Sequence, residues 1–168
     1  MKDTGTLTTY YAPGLDMLLS NIFLDDHCFR LAAADGRIGI EFEPSPDRSR
    51  IPEIRGTLWV DRVSSELTAM EFGYVNVSKA KSERARGELR FARMRDGTWA
   101  ITRWNIQMPV TEIPISGGSA NENEARVLEV LSTGGELVFA QRGQDTIWSR
   151  PPLTLSGDVV DSSSGSAR

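Results

Sequence analysis

The chain is poor in the residue types that most often carry chemistry. It has one cysteine, Cys28, and one histidine, His27, in 168 residues. A single cysteine excludes an internal disulfide and leaves the compartment open, since many envelope proteins carry none. One histidine falls short of a metallopeptidase site, which often uses two together with a carboxylate. Basic residues are not in excess. A formal net charge of −4 and a pI near 5.1 exclude the basic face that a nucleic-acid binder needs. No apolar run reaches the length of a membrane span. Residues Met1 to Gly14 have no apolar stretch of the signal-peptide kind. Taken as it stands, such a chain is soluble and unexported; as a piece of a longer protein it carries no such implication. P-loop, G-x-G-x-x-G and G-x-S-x-G patterns are all missing.

What is present is a normal globular balance, with 39% hydrophobic and 25% charged residues, enough to bury a core without staples. The dominant pattern is period-two alternation broken by turn signals, the mark of half-buried antiparallel strands. Ile38, Ile40 and Phe42 share one face, with Gly39, Glu41 and Glu43 opposite. Asp35-Gly36 turns this strand back onto Phe29 to Ala33. Gly56 to Asp61 is a strand, Val63-Ser64-Ser65 a turn, and Glu66 to Val77 a strand with Met70, Phe72 and Tyr74 on one side. Gly87 to Met94 and Thr98 to Met108 form a hairpin around Asp96-Gly97. Trp99 and Trp104 are five apart, so simple alternation puts them on opposite faces, and a sheet with aromatics on both faces is covered on both.

Two regions depart from this pattern. Leu15 to Cys28 carries Leu15, Leu18, Leu19 and Ile22 at helical spacing, and Ser20 is placed to cap a helix starting at Asn21. One or two short helices follow. Arg126 to Leu131 admits two readings. Asn121 and Glu124 resemble a capping box with Gly134-Gly135 as a stop. Alternatively, Arg126 to Ser132 and Glu136 to Gln141 make a hairpin around Thr133-Gly134-Gly135. The strand reading agrees better with the neighbouring strands. Pro44 to Pro52 and Ile115 to Asn123 are loops.

The candidate chemistry is thin. His27-Cys28 reads as packing at a helix end before it reads as a ligand or nucleophile pair, because free cysteine is commonly buried and inert. Glu41 and Glu43 share a strand face that a glycosidase-like dyad could use, but charged residues are the ordinary solvent face of such a strand. Lys79 to Arg90 mixes Glu83 and Glu88 among its basic residues and reads as a solvated loop. The strongest ligand candidate is an apolar face of Trp59, Met70, Phe72, Tyr74 and Trp104. It is either a cavity lining or a core packed against Leu18, Leu19 and Ile22, and packing is the expected case.

The end of the chain, Leu155-Ser156-Gly157-Asp158-Val159-Val160-Asp161-Ser162-Ser163-Ser164-Gly165, resembles the first strand and turn of the carboxypeptidase regulatory-like module, an immunoglobulin-like sandwich. Gly157, Val159, Asp161 and Gly165 carry the likeness. The body of the chain, through Phe23-Leu24, His27-Cys28-Phe29, Gly56-Thr57-Leu58-Trp59-Val60-Asp61, Glu71-Phe72, Tyr74, Gly97-Thr98-Trp99 and Met108-Pro109, looks like the domain that accompanies such modules in bacterial envelope proteins. Its Gly-Thr-Leu-Trp-Val-Asp strand is also similar to the half-barrel sheets of outer-membrane lipoprotein-sorting proteins. These resemblances imply an exported multi-module protein at the periplasm or outer-membrane surface. Residues 1–150 would be an accessory domain, and 151–168, opening with the boundary Pro151-Pro152, the start of a second module, whose strand Leu153 to Val160 pairs poorly with the main sheet. The implied partners are flanking modules and a protein, glycan or lipid ligand, without cofactor or nucleic acid. The implied role is non-catalytic and structural or binding, with an acyl-chain carrier as the alternative.

The expected fold is therefore all-β with minor α: a strongly twisted, half-barrel-like antiparallel sheet bearing one or two short N-terminal helices. We expect purified protein, and a His27→Ala variant equally, to contain no metal by elemental analysis. Stoichiometric zinc that disappears in the variant would refute the non-enzyme reading.

Overall fold

Turn chemistry sets the order of the strands. The computed structural model describes residues 15–18, 20–34, 36–112, 115–116, 119–120 and 126–150, so the segment from Pro151 onward, expected to open a second module, lies outside the described residues. Strands β1 (His27–Ala34) and β2 (Arg37–Pro44) meet at Gly36, whose φ of 77° suits glycine. Next come β3 (Glu53–Asp61), β4 (Leu67–Val75), β5 (Arg86–Arg93) and β6 (Trp99–Glu112), with Gly97 at φ 86° in the β5–β6 turn. The short pair β7 (Ile115–Ser116) and β8 (Ser119–Ala120) separates β6 from β9 (Arg126–Glu136). A seven-stranded antiparallel sheet results, in the order β1-β2-β3-β4-β5-β6-β9, and no barrel closes among the described residues. β10 (Phe139–Arg142) and β11 (Asp145–Ser149) form a separate hairpin. The all-β class with minor α is thus observed.

The helices are short and cover one face. α1 (Leu15–Leu18) and α2 (Asn21–Asp26) are joined at Ser20, whose hydroxyl accepts the Phe23 N–H at 3.1 Å as the N-cap. α3 (Lys79–Ser82) lies between β4 and β5. The core joins Leu18 and Phe23 to Phe42, Met70, Phe72, Tyr74, Leu89 and Phe91. The expected docking of helix on stripe holds through Leu18, but Phe23 takes the place assigned to Ile22, which is 70% exposed. The physical reason is the cap: it starts the helix at Asn21 and turns position 23 inward. Leu19 lies outside the described residues. Phe23 stacks on His27 at 4.2 Å and meets Phe42 edge-on at 5.3 Å.

Two bulges correct the simple alternation. Arg90 pairs with Arg103 but Phe91 with Ile101, so Thr102 is an extra residue in β6. The parity of the strand changes there. Trp99 and Ile101 before it, and Trp104 and Met108 after it, all pack on the core. The two tryptophans therefore share a face, and the second face needs no cover. Likewise Trp59 pairs with Ala69 but Val60 with Leu67, so Thr68 is extra and Leu67 joins the core with Met70.

A second correction concerns Gly134 and Gly135. They lie inside β9 opposite Asn105 and Trp104, not in a hairpin turn. A Cβ on Gly134 would come 2.8 Å from the Trp104 carbonyl oxygen, and one on Gly135 would come 2.7 Å from the Trp104 indole nitrogen. Both are glycines of close approach. Neither the helix nor the hairpin reading of 126–141 survives as drawn, though the strand assignment does.

Across the sheet, the core-facing row Phe42, Gly56, Phe72, Gly87 alternates large and absent side chains. A Cβ on Gly56 would lie 2.8 Å from Phe72 Cα, and one on Gly87 would lie within the Phe72 ring's contact shell, 2.9 Å from Cε2. Phe72 is 4% exposed. We expect Phe72→Ala to cost about 3–5 kcal/mol in urea denaturation. Gly56→Ala, which meets backbone, should cost at least about 3 kcal/mol, and Gly87→Ala should cost less in a Phe72→Leu background than alone.

Two turn aspartates give the fold a pH dependence. Asp61 accepts the Ser64 and Val63 N–H groups at 2.7 and 2.9 Å, which holds its carboxyl below the ordinary 3.8. Asp96 accepts the Thr98 N–H at 3.0 Å and is lowered in the same way. A folded value below the unfolded one gives stability above the unfolded value that is lost as pH falls through the folded one. Chemical denaturation between about pH 4 and pH 2 should show a shallower loss for Asp61→Asn or Asp96→Asn than for the parent.

Candidate functional site

The face away from the core carries the charge. Register places Arg30, Glu41, Thr57, Glu71, Glu88 and Asn105 side by side on β1 to β6. A second row, two residues along the strands, contains Cys28 beside Glu43, then Arg55, Gly73, Arg86 and Gln107. Between the rows run Phe29, Phe42, Gly56, Phe72 and Gly87, whose side chains belong to the other face. The two rows are the walls, and that backbone is the floor, of a groove of about 900 Å³ crossing the strands. Strand geometry makes it about 7 Å between rows and about 24 Å from β1 to β6.

Three arginines and four glutamates line this groove. Some are satisfied by neighbours. Arg30 donates Nε and Nη2 to Glu41 Oε2 at 2.8 and 2.7 Å, and the bond to Glu41 raises its pKa further, with Glu43 adding to the effect. Arg86 Nε donates to Gln107 Oε1 at 2.6 Å, and Arg90 Nε to Glu88 Oε1 at 2.6 Å. Arg55 and Glu71 hold no ion pair or hydrogen bond through their side chains with a described residue. Glu71 also stands directly opposite Glu88, an arrangement that costs stability because like charges face each other across the ladder. Arg55 and Arg86 flank Gly73, which leaves the space between them open. The groove thus offers a gap between two guanidinium groups on one wall and a pair of carboxylates on the other.

The expected apolar face is divided between the two sides of the sheet. Met70, Phe72 and Tyr74 are buried, and Trp104 packs against them. Their stripe is filled by its own neighbours and Leu18 and Phe23. Trp59 lies on the opposite face, over Gly39, with the Arg37 guanidinium 4.5 Å from its ring centre. Its register with Gly39 and Ala69 fixes this, so the five residues do not form one surface.

His27 and Cys28 are also separated. His27 is 8% exposed, stacked on Phe23, and its Nδ1 donates to the Phe23 carbonyl at 2.9 Å. Cys28, next along β1, faces the groove and is exposed, contrary to the buried thiol expected. Successive strand residues point to opposite faces, so the two cannot act as a pair. Among the described residues, no group of three or more His, Cys, Asp or Glu side chains is placed to hold a metal ion. Groove residues Arg55, Glu71, Arg86 and Glu88 escaped sequence reasoning. Alternation marked them as an outer face, but only the pairing register brings them together.

Native protein should react with a maleimide at Cys28 at nearly the denatured-state rate. His27 should resist diethyl pyrocarbonate until the protein is unfolded. A protected thiol beside a reactive imidazole would reverse the assignment of faces. No protein family, curated protein or solved structure matches the chain.

Proposed function

We propose that this domain is a non-catalytic binding module of an exported, multi-module bacterial envelope protein. We propose further that it binds an extended polypeptide segment carrying both signs of charge across the polar face of the sheet. The envelope context rests on the resemblance of Gly56–Asp61, Gly97–Trp99 and the C-terminal Gly157-x-Val159-x-Asp161 pattern. The binding role is supported chiefly by one observation: Glu71 faces Glu88, which Arg90 already holds, and neither Glu71 nor Arg55, beside Gly73 in the same groove, has a side-chain partner among the described residues. A face selected only for solubility would pair these charges with one another. Here a cationic ligand group would relieve the carboxylate pair, and an anionic group would lie between Arg55 and Arg86. A polar groove suits a peptide better than an acyl chain, and the aromatic stripe that would receive an acyl chain is already packed.

The test is a fluorophore on Cys28, at the end of the groove, titrated with mixed-charge peptides, a neutral oligosaccharide and a fatty acid. We expect saturable response to a mixed-charge peptide only, weakening with salt, and about tenfold weaker in Glu71→Gln or Arg55→Gln. Response to the fatty acid alone, or equal affinity in both variants, would defeat the proposal.

A further inference from the structure

The polar groove does not stop at β6. A second cavity, of about 560 Å³, lies beside it and shares Arg86 and Gln107 with it. Glu83, Arg84, Val130 and Ser132 complete its lining. Val130 and Ser132 belong to β9, where Ser132 stands opposite Gln107. The polar face therefore continues one strand further, over about 5 Å. We infer that this second cavity receives a carboxylate of the ligand, held by Arg84 and Arg86 together. The inference rests on the peptide-binding reading above and specifies where the anionic end of the peptide lies.

Local structure fixes both arginines. α3 ends at Ser82, and the Arg84 and Ala85 N–H groups both donate to the Lys81 carbonyl, at 3.1 and 2.8 Å. The Ala85 carbonyl accepts the Tyr74 N–H at 3.4 Å. Ala85 is 3% exposed and belongs to the core. Its side chain points inward, so the residues on either side of it point outward, and both line the cavity.

Charge then selects the ligand group. Glu83, the acid among the lining residues, has Lys79 Nζ 3.8 Å away on the same helical turn. The Arg84 side chain has no ion pair or hydrogen bond with a described residue. Arg86 Nε donates to Gln107 Oε1 at 2.6 Å. That partner is neutral, so the guanidinium keeps its full charge, and its two Nη groups remain free to donate among the described residues. The same bond orients the Gln107 amide, whose own N–H groups are uncommitted among the described residues. Donors on Arg84, Arg86 and Gln107 thus line one cavity. A carboxylate matches them, because it accepts guanidinium N–H groups in pairs and has lone pairs left for an amide. Ser132 adds no donor, since its hydroxyl donates to Asn105 Oδ1 at 2.7 Å. Val130, 40% exposed, offers an apolar surface to the aliphatic part of the ligand. In the main groove Arg55 and Glu71 leave both signs open. At the β9 end only cations are open, which gives the bound peptide a direction.

The carboxylate is either the chain terminus of the peptide or an acidic side chain, and one experiment separates them. The probes are serine-rich octapeptides with one central lysine–glutamate pair, long enough at about 27 Å to span the groove. They end in a free carboxylate, in an amide, or in an aspartate amide. Calorimetric titration of the full chain should show one carboxylate-ended form binding about tenfold tighter than the plain amide, and which form it is names the source. Arg84→Gln should remove that advantage and leave the plain amide's affinity unchanged, which also reports that the variant is folded. Arg55→Gln should weaken all three probes alike. Equal binding of the three probes, or an advantage that survives Arg84→Gln, would overturn this inference alone. Binding of none of them would overturn the peptide-binding reading with it.

Discussion

The contact on which the rest of this domain depends is that of Phe72 with the two glycines beside it. Gly56 and Gly87 flank Phe72 in the core-facing row of the sheet. Neither could carry a Cβ without entering the Phe72 side chain or its backbone. Because those positions are empty, β3, β4 and β5 approach closely and the ring fills the space of three residues. The buried row is therefore full on one side, while its backbone floors a groove on the other. Core and groove are two faces of one packing solution.

The bulges at Thr68 and Thr102 divide the residues between those faces. Each adds a residue, and each returns to the core a set of side chains that strict alternation would have turned outward. Thr68 Oγ1 donates to the Trp59 carbonyl at 3.0 Å and Thr102 Oγ1 to the Arg90 carbonyl at 3.4 Å, so the threonines satisfy backbone groups that the ladder leaves over. As a result Leu67, Met70, Trp99 and Trp104 face one way. The opposite side keeps the two polar rows of the groove, with Cys28 and Trp59. Without the second bulge the groove wall would carry a tryptophan in place of Asn105.

At the other end of the sheet, Arg48 ties the first helical segment down. Its guanidinium binds Glu53 at the start of β3 and Asp26 at the end of α2, the latter at 3.0 Å. Its carbonyl and that of Ile51 accept from Asn76 Nδ2 at 3.1 and 2.9 Å. These pairs are partly exposed and each contributes modestly. Their effect is geometric: the loop between β2 and β3 is held against the helix that carries Phe23, so β1 and β2 reach the groove in register.

What the sequence determined alone is the set of locally encoded features. Ser20 capping α2, Gly36 and Gly97 in their turns, and the Met70-Phe72-Tyr74 stripe depend on neighbours a few residues away, so residue type and spacing suffice. The all-β class follows from them. What only the tertiary structure decided depends on a cross-strand partner. Gly134-Gly135 is the same dipeptide in a turn or under a tryptophan, and only pairing with Trp104 chooses. Trp59 leaves the apolar face because its register partner is Gly39. Glu71 meets Glu88, and Arg55 meets the gap over Gly73, only after four strands are aligned. A bulge changes parity without any special residue to announce it, since threonine is also an ordinary strand residue. The candidate site was therefore visible in the sequence only as an alternating charged face. The groove itself is a product of register.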